Sequence, residues 1–265
     1  MKDHLLGLGN EDLERRIYRI LPFYRLIEML ANNKNYLLAP SKWYRDDPFE
    51  NMIKNIRYEH KGKTGPLAFA NDVYAQCWSL TSSSHALWKI YTNYDSELKG
   101  FNVNTIEELM PEWEKIYKVA GVRIRTTIGA VLEETIKSKT LSGDDIYIGK
   151  VEYMKEHEIY SFLKKHNILS GDPKDIARVL LLKRSSFSYE NEIRLILNDN
   201  DRVKTDVVGY EVDIKKIIES VALDPRISSD IVIKEMKKKI RKHAKGIPIY
   251  QSKLYKLPSE IVKIL

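Results

Sequence analysis

One stretch combines an apolar strand pattern with three charged side chains: Ser188-Tyr189-Glu190-Asn191-Glu192-Ile193-Arg194-Leu195-Ile196-Leu197. Side chains on a β-strand alternate between its two faces, so Glu190, Glu192 and Arg194 are predicted to share one face. The intervening residues are expected to turn toward the core: Asn191, Ile193, Leu195 and Leu197. Two carboxylates and a guanidinium on one strand face favour a site that holds a polar ligand. The alternative is an exposed ladder of compensating charges, which would contribute little stability.

A second strand is predicted at residues 121–127, where apolar and polar residues also alternate. Arg123, Arg125 and Thr127 share one face of it. Two arginines on one face can hold a phosphate or a carboxylate through forked hydrogen bonds. They can equally pair with the two glutamates of the first stretch across a sheet, which would be a purely structural use of the same charges.

Hydroxyl and aromatic side chains accompany a third predicted strand at residues 73–80. Ser79 and Thr81 are expected on one face of it, where their hydroxyls can act together. A serine-capped helix should follow, with Trp88 and Tyr91 on one helix face. Aromatic residues at this spacing usually belong to the core. The alternative is that they shape a ligand pocket.

The remaining hydrophobic patterns predict an α+β fold with a mixed, largely antiparallel central sheet and flanking helices. Further strands are predicted at residues 36–38, 145–153, 193–197, 207–212, 220–223 and 247–250, and helices at 23–33, 104–119, 128–137, 154–166, 173–183 and 229–243. There is no clean βαβ alternation, and no glycine-rich phosphate loop or dinucleotide fingerprint occurs in the sequence. We expect a single domain over residues 1–265, with an inserted helical segment at 92–120 and a basic C-terminal helix at 229–245.

The composition fits an ordinary folded protein, with 43% hydrophobic and 31% charged residues. No apolar run approaches the roughly 20 residues of a spanning helix, and the N-terminus lacks the pattern of a secretory signal. The only cysteine, Cys77, excludes an internal disulfide framework and is expected to be buried and inert. The six histidines show no metal-ligand spacing. We therefore expect a cytoplasmic protein with no membrane contact and no metal.

Positive charge is concentrated near the C-terminus. The net charge of the chain is +7, and residues 231–256 contain nine lysines and arginines against one acid, Glu235. This basic stretch could bind nucleic acid or another polyanion. The alternative is a helix face that is simply solvated.

The order of the short motifs along the chain resembles that of a prokaryotic family, domain of unknown function 2971. The motifs are Tyr18-Arg19, Tyr36-Leu37-Leu38-Ala39-Pro40, Asp47-Pro48-Phe49-Glu50, Cys77-Trp78-Ser79-Leu80, Leu87-Trp88-Lys89-Ile90-Tyr91, the Gly121–Thr127 strand, Lys183, Tyr189-Glu190-Asn191-Glu192-Ile193-Arg194, Ala222-Leu223-Asp224-Pro225-Arg226 and Ser252-Lys253-Leu254-Tyr255. Two departures stand out: residues 92–120 separate the aromatic helix from the Gly121 strand, and Asp46 replaces the usual asparagine. We interpret the first as an inserted hairpin or lid. This resemblance implies a fold group and no reaction.

A looser resemblance implies a reaction. Arg19, then Ser79 with Thr81, then Glu190 with Glu192 follow the order of residues in arginine-type ADP-ribosyltransferases. In that chemistry the arginine holds the phosphates of NAD, and the Ser/Thr strand orders the ribose. The second glutamate stabilises the positive charge that develops as the glycosidic bond breaks.

Three functions follow as hypotheses. The first is an NAD-using, ADP-ribosyltransferase-like effector in phage defence or toxicity, with NAD as substrate and a protein as a candidate target. Its catalytic carboxylate would be Glu192, supported by Glu190 and Arg194, with Trp88 and Tyr91 shaping the pocket. The second is a non-enzymatic module that binds nucleic acid or protein. The third is a nuclease that uses the two glutamates and a lysine such as Lys183.

Overall fold

The strand predicted within residues 188–197 runs from Glu192 to Asn198 and is buried along its whole length. It is paired on both sides, with Ile193 opposite Trp78 of one neighbour and Lys150 of the other. Both edges of this strand are therefore closed by neighbours, and its charged residues are buried as well. The computed structural model describes residues 1–40, 49, 57–60, 62–65, 73–92, 103–141, 145–165, 171–199 and 205–256.

The strands are β1 (Leu5–Leu6), β2 (Arg16–Pro22), β3 (Lys34–Leu38), β4 (Tyr58–His60), β5 (Lys63–Gly65), β6 (Val73–Ser79), β7 (Gly121–Thr127), β8 (Ile146–Lys150), β9 (Glu152–Met154), β10 (Leu182–Arg184), β11 (Glu192–Asn198), β12 (Val207–Glu211), β13 (Ser220–Leu223) and β14 (Ile249–Gln251). The helices are α1 (Phe23–Asn32), α2 (His85–Tyr91), α3 (Ile106–Val119), α4 (Ile128–Ile136), α5 (Glu156–Lys165), α6 (Pro173–Val179), α7 (Ile214–Ile217) and α8 (Asp230–His243). Three 3-10 helices span Lys2–His4, Asn10–Asp12 and Ser185–Glu190. The predicted α+β class with a largely antiparallel sheet is confirmed.

The chain divides into two compact units, each assembled from three segments. The first unit comprises residues 1–19, 32–82 and 125–217, and the second comprises residues 20–31, 83–124 and 218–265. The single domain expected from the sequence stays a prediction. No helix in the described ranges is both long enough and apolar enough to cross a membrane.

The sheet of the first unit has the order β1-β8-β11-β6, and β6 also pairs with β3, which pairs with β12. The β1–β8 pair is parallel, whereas β8, β11, β6, β3 and β12 pair antiparallel. Strand β2 joins β6 antiparallel, with Tyr18 opposite Ser79. Separate two-stranded pairs are formed by β9 with β10 and by β4 with β5.

The two faces of this sheet have different cores. On one face, Ala75 and Ile196 belong to an apolar cluster that includes Ile159 of α5 and Ile176 of α6. On the other face, Gln76 of β6 lies in a buried polar network. The Gln76 amide donates to Asn35, and the Trp78 indole donates to Gln76. Asn35 donates to the Tyr210 hydroxyl, which also forms a hydrogen bond with Thr135 of α4. Burial raises the pKa of Tyr210 to about 12, so its hydroxyl stays protonated.

Two predicted elements differ in the structure. The strand predicted at 145–153 is two strands, because the backbone changes partner at Val151: its N–H donates to Glu192, whereas the next N–H, of Glu152, donates to Leu181. The helix predicted at 173–183 ends at Val179. Residues 182–184 instead pair in parallel with β9, which places Lys183 on a strand.

The second unit contains β13 and β14, which pair in parallel, and helices whose first turns are capped by side chains. Ser84, Thr105 and Ser229 each accept a hydrogen bond from a backbone N–H of the first turn of α2, α3 and α8. Helix α3 agrees with the helix predicted at residues 104–119, whereas the insertion at 92–120 stays a prediction. Residues 93–102 of the insertion, Asp46 to Pro48 and Glu50 lie outside the described residues.

Candidate functional site

Four charged side chains from three elements of the first unit meet in one group, here named the carboxylate cluster: Lys183, Glu190, Glu192 and Arg194. The Lys183 Nζ atom lies 2.9 Å from Oε2 of Glu190 and 3.3 Å from Oε2 of Glu192. The Arg194 Nη2 atom lies 2.7 Å from the same oxygen of Glu192. Each of these side chains is at most 4% exposed. The exposed ladder considered from the sequence is therefore wrong, because protein rather than water surrounds these charges.

The local backbone explains how the four groups converge. Lys183 lies on β10, and Glu190 is the last residue of the 3-10 helix Ser185–Glu190. Asn191 adopts a left-handed conformation with φ of 47°, which asparagine tolerates better than most residues, and β11 begins immediately after it. The expectation that Glu190 shares a strand face with Glu192 is therefore wrong, because the turn at Asn191 separates them. The expected burial of Ile193 and of its strand neighbours is confirmed.

The electrostatics of the cluster hold Glu192 in its charged form. Burial alone would raise the pKa of this carboxyl group, but the charges of Arg194 and Lys183, with the hydrogen bond from Arg194, lower it below its usual value. Two cations and two anions cancel, so the cluster has no net charge when all four groups are ionised. Arg194 is fixed further because its Nη1 atom donates to the carbonyl of Leu180 at 2.7 Å.

Strand β6 supplies the next neighbours. Ser79 lies directly opposite Glu192, and its hydroxyl donates to the Glu190 carbonyl at 2.6 Å while accepting from the Thr81 N–H at 3.0 Å. Thr81 itself lies beyond the end of the strand, so the expectation that it shares a strand face with Ser79 is wrong. Cys77 lies opposite Arg194 and is half-buried, with its thiol hydrogen-bonded to Glu192. The sequence predicted it buried and inert, and it is instead a partly exposed neighbour of the cluster.

Tyr153 of β9 is a neighbour that the sequence did not indicate. Its hydroxyl oxygen accepts a hydrogen bond from the backbone N–H of Glu192 at 2.9 Å. In the parallel pair of β9 with β10, Tyr153 lies opposite Lys183. Burial raises the pKa of Tyr153, and the charge of Glu192 raises it further. No local pattern links residues 39 positions apart, so only the fold brings this phenol to the cluster.

Arg19 and Glu192 lie on opposite faces of the sheet. Directly opposed residues of antiparallel strands point to the same face, so Tyr18, Ser79 and Glu192 share one face across β2, β6 and β11. Arg19, the next residue of β2, points to the other face. There its charge acts on the hydroxyl of Tyr210 within the buried polar network. The structure therefore does not bring Arg19 to the face that carries Glu192.

The two arginines of β7 fall in different units. Arg125 belongs to the first and is half-buried. Arg123 belongs to the second, is 8% exposed and donates from Nη2 to the Tyr250 hydroxyl at 3.0 Å. Within the first unit, β11 is paired with β6 and β8, so Arg125 does not face Glu192 from an adjacent strand. The pairing of these arginines with Glu190, which precedes β11, stays a prediction.

The aromatic pair of α2 divides into a core residue and a surface residue, both in the second unit. Trp88 is fully buried in an apolar cluster with Ile20 and Leu87, whereas Tyr91 is 38% exposed. Of the two interpretations of this aromatic pair, membership of the core therefore fits Trp88. Within the described part of the chain, no group of three or more His, Cys, Asp or Glu side chains could hold a metal ion.

Comparison with known proteins adds one structural likeness. No family model matches the sequence, so the resemblance to domain of unknown function 2971 stays a prediction. No curated protein matches it either. Among solved structures, the chain is similar to Thermus sp. 2.9 DarT in complex with carba-NAD+, with 12% identity over 91% of this chain and 96% of that chain and a TM-score of 0.36. A likeness of this size carries no argument about the chemistry of the carboxylate cluster.

Proposed function

We propose that the chain binds NAD and breaks the bond between nicotinamide and ribose, as ADP-ribosyltransferases do, with Glu192 as the catalytic carboxylate. One observation supports this most directly: Glu192 is buried yet held anionic, by Arg194 at 2.7 Å and Lys183 at 3.3 Å. An anion fixed before the ligand arrives does not need to reorganise when positive charge develops beside it. The setting we propose is a prokaryotic effector in phage defence or toxicity.

The reaction places a specific demand on this carboxylate. When the glycosidic bond of NAD breaks, its electron pair stays with the nicotinamide nitrogen, which becomes neutral. The positive charge passes to the ribose carbon and its ring oxygen. A hydroxyl or amine of the acceptor then forms the new bond and loses its proton. Glu192 opposes the charge on the ribose, and Ser79, opposite Glu192 on the sheet, fixes the neighbouring Glu190 carbonyl.

The phosphates of NAD need other partners, since the cluster has no net charge of its own. We assign them to two strand arginines of the first unit, Arg19 and Arg125. Substitution of Arg19 tests this assignment most directly, because its side chain points away from the sheet face that carries Glu192. Arg19→Ala weakens NAD binding only if the dinucleotide reaches beyond that face, and an unchanged NAD affinity removes Arg19 from the proposal.

The deciding experiment measures NAD binding and nicotinamide release with the full-length chain, using protein and nucleic-acid acceptors. Glu192→Gln is compared with Glu190→Gln, which removes the same charge from the same cluster. If Glu192 stabilises the transition state, its variant should lose about 100- to 1000-fold in turnover, and more than the Glu190 variant. Thermal melts must show that both variants are folded at the assay temperature. Wild-type protein that neither binds nor consumes NAD refutes the enzyme hypothesis.

The nuclease alternative meets a chemical obstacle at Lys183. This lysine does lie beside both glutamates, as that alternative requires. Its ammonium group, however, bonds to both carboxylates and lies 5.1 Å from the centre of the Phe187 ring. It is therefore engaged within the protein rather than presented to a phosphate.

A second candidate function is nucleic-acid binding by α8 in the second unit. Its apolar side chains Val232, Ile233, Met236 and Ile240 are buried. The opposite side of the helix exposes three lysines spaced about one turn apart, Lys234, Lys238 and Lys242, with Arg241 beside the last of them. One of them, Lys238, lies 3.4 Å from the carboxylate of Glu235. A stripe of exposed cations along one helix suits the phosphates of a nucleic acid strand.

A further inference from the structure

One further polar group, the hydroxyl of Tyr153, lies beside the carboxylate cluster. The four charged side chains are at most 4% exposed, whereas Tyr153 is half-buried and touches the cluster through the Glu192 backbone. Cys77 is also half-buried, but its thiol is already bonded to the Glu192 carboxylate.

A phenol has one hydrogen to donate and an oxygen that accepts. In Tyr153 the accepting side is occupied, since the Glu192 N–H points at the oxygen from 2.9 Å. The same contact leaves the hydroxyl hydrogen directed away from the strand backbone, and no acceptor for it occurs among the described residues. Burial and the charge of Glu192 raise the pKa of Tyr153, so the hydrogen is retained at neutral pH. Tyr153, a half-buried residue, thus keeps a donor hydrogen next to the Glu192 backbone.

We infer that Tyr153 is the hydrogen-bond donor that recognises the ligand at this site, and that it binds an oxygen acceptor of NAD, either a ribose hydroxyl or the carboxamide oxygen. The inference rests on the proposed function in taking NAD as the ligand. It adds a recognition residue to a cluster whose charged groups bond chiefly to one another. It also ties recognition to chemistry, because the same hydroxyl fixes the backbone of Glu192.

The test compares Tyr153→Phe with Tyr160→Phe, which removes the same hydroxyl from a ring that is 41% exposed in the same unit. Calorimetry gives the Kd for NAD, and nicotinamide release gives KM and kcat. Loss of one uncharged hydrogen bond should raise the Kd and KM of the Tyr153 variant about 3- to 10-fold, with no change in the Tyr160 variant. If Tyr153 only supports the Glu192 backbone, its variant melts earlier and loses kcat while the Kd stays the same, which overturns the inference.

Ligand variants identify the acceptor atom. NAD analogues that each lack one ribose hydroxyl or the carboxamide are titrated against wild type and Tyr153→Phe. The analogue lacking the true acceptor should bind wild type more weakly than NAD does, but bind the variant as well as NAD does, because the interaction is already absent. Wild type that binds NAD without cleaving it refutes the proposed function and leaves the Kd comparison decisive for Tyr153. Wild type that binds no NAD refutes both.

Discussion

Arg194 and Glu192, two residues apart on one strand, form a buried ion pair in which Nη2 lies 2.7 Å from Oε2. The arginine is 1% exposed and the glutamate 4%. At such a site the attraction between the two charges opposes a large cost of removing them from water. The intact pair therefore contributes little net stability, but removal of either partner alone should destabilise the protein.

Glu192→Gln should lower the free energy of unfolding by about 3–5 kcal/mol, because it leaves two buried cations facing a single carboxylate. Urea denaturation at neutral pH measures this. The matched control is Glu133→Gln, which breaks a pair with Lys137 whose side chains are 50% and 62% exposed, and its effect on the free energy of unfolding should be much smaller. Equal effects from the two substitutions would contradict the burial of the cluster.

The pH dependence of that difference has a definite sign. The folded-state pKa of Glu192 lies below its usual value, so its ionised form contributes stability above the unfolded pKa, which is about 4.3 for glutamate. That contribution is lost as pH falls through the folded-state pKa. The stability gap between wild type and Glu192→Gln should therefore shrink as pH is lowered from about 4.3. A gap that stays constant or widens in a urea series between neutral and acid pH would contradict the lowered pKa.

The turn before β11 can be tested through Asn191, whose φ is 47°. Asn191→Gly should be close to neutral, since glycine adopts this conformation freely. Asn191→Val should cost about 1–2 kcal/mol, because a β-branched side chain clashes with the left-handed backbone. Ser188→Val, at an exposed position in the same 3-10 helix, serves as control. Equal melting temperatures for the Asn191→Gly and Asn191→Val variants would contradict the left-handed turn.

The sequence could predict those features that depend on residues close together along the chain. The alternation of residues 121–127 and the serine before α2 act within a few positions, and the structure contains both elements as predicted. Glu190 shows where locality fails: the alternation of the sequence continues through it, yet Asn191 turns the chain. The partners of Glu192, by contrast, depend on strand order. Lys183 and Tyr153 reach it only because β9 leaves β8 to pair with β10.

The exposed cations of α8 form a stripe whose binding to nucleic acid can be tested. Wild type should bind nucleic acid at low salt, with an affinity that falls steeply as salt rises, because each phosphate contact releases a counterion. The triple variant Lys234→Gln, Lys238→Gln and Lys242→Gln should bind more weakly. It should also reduce the slope of log affinity against log salt by about 2 to 3, because each lysine bound to a duplex phosphate contributes roughly 0.9 to that slope.

The control removes three exposed lysines from the first unit, Lys164, Lys165 and Lys215, and matches the change in net charge. If the stripe is a docking surface, the control keeps the wild-type slope. Equal losses of affinity in both variants would mean that overall charge, rather than α8, attracts the polyanion. No binding by wild type at low salt would leave α8 as a solvated helix face. Single-stranded and duplex probes of equal length, in DNA and RNA, identify the form that the stripe prefers.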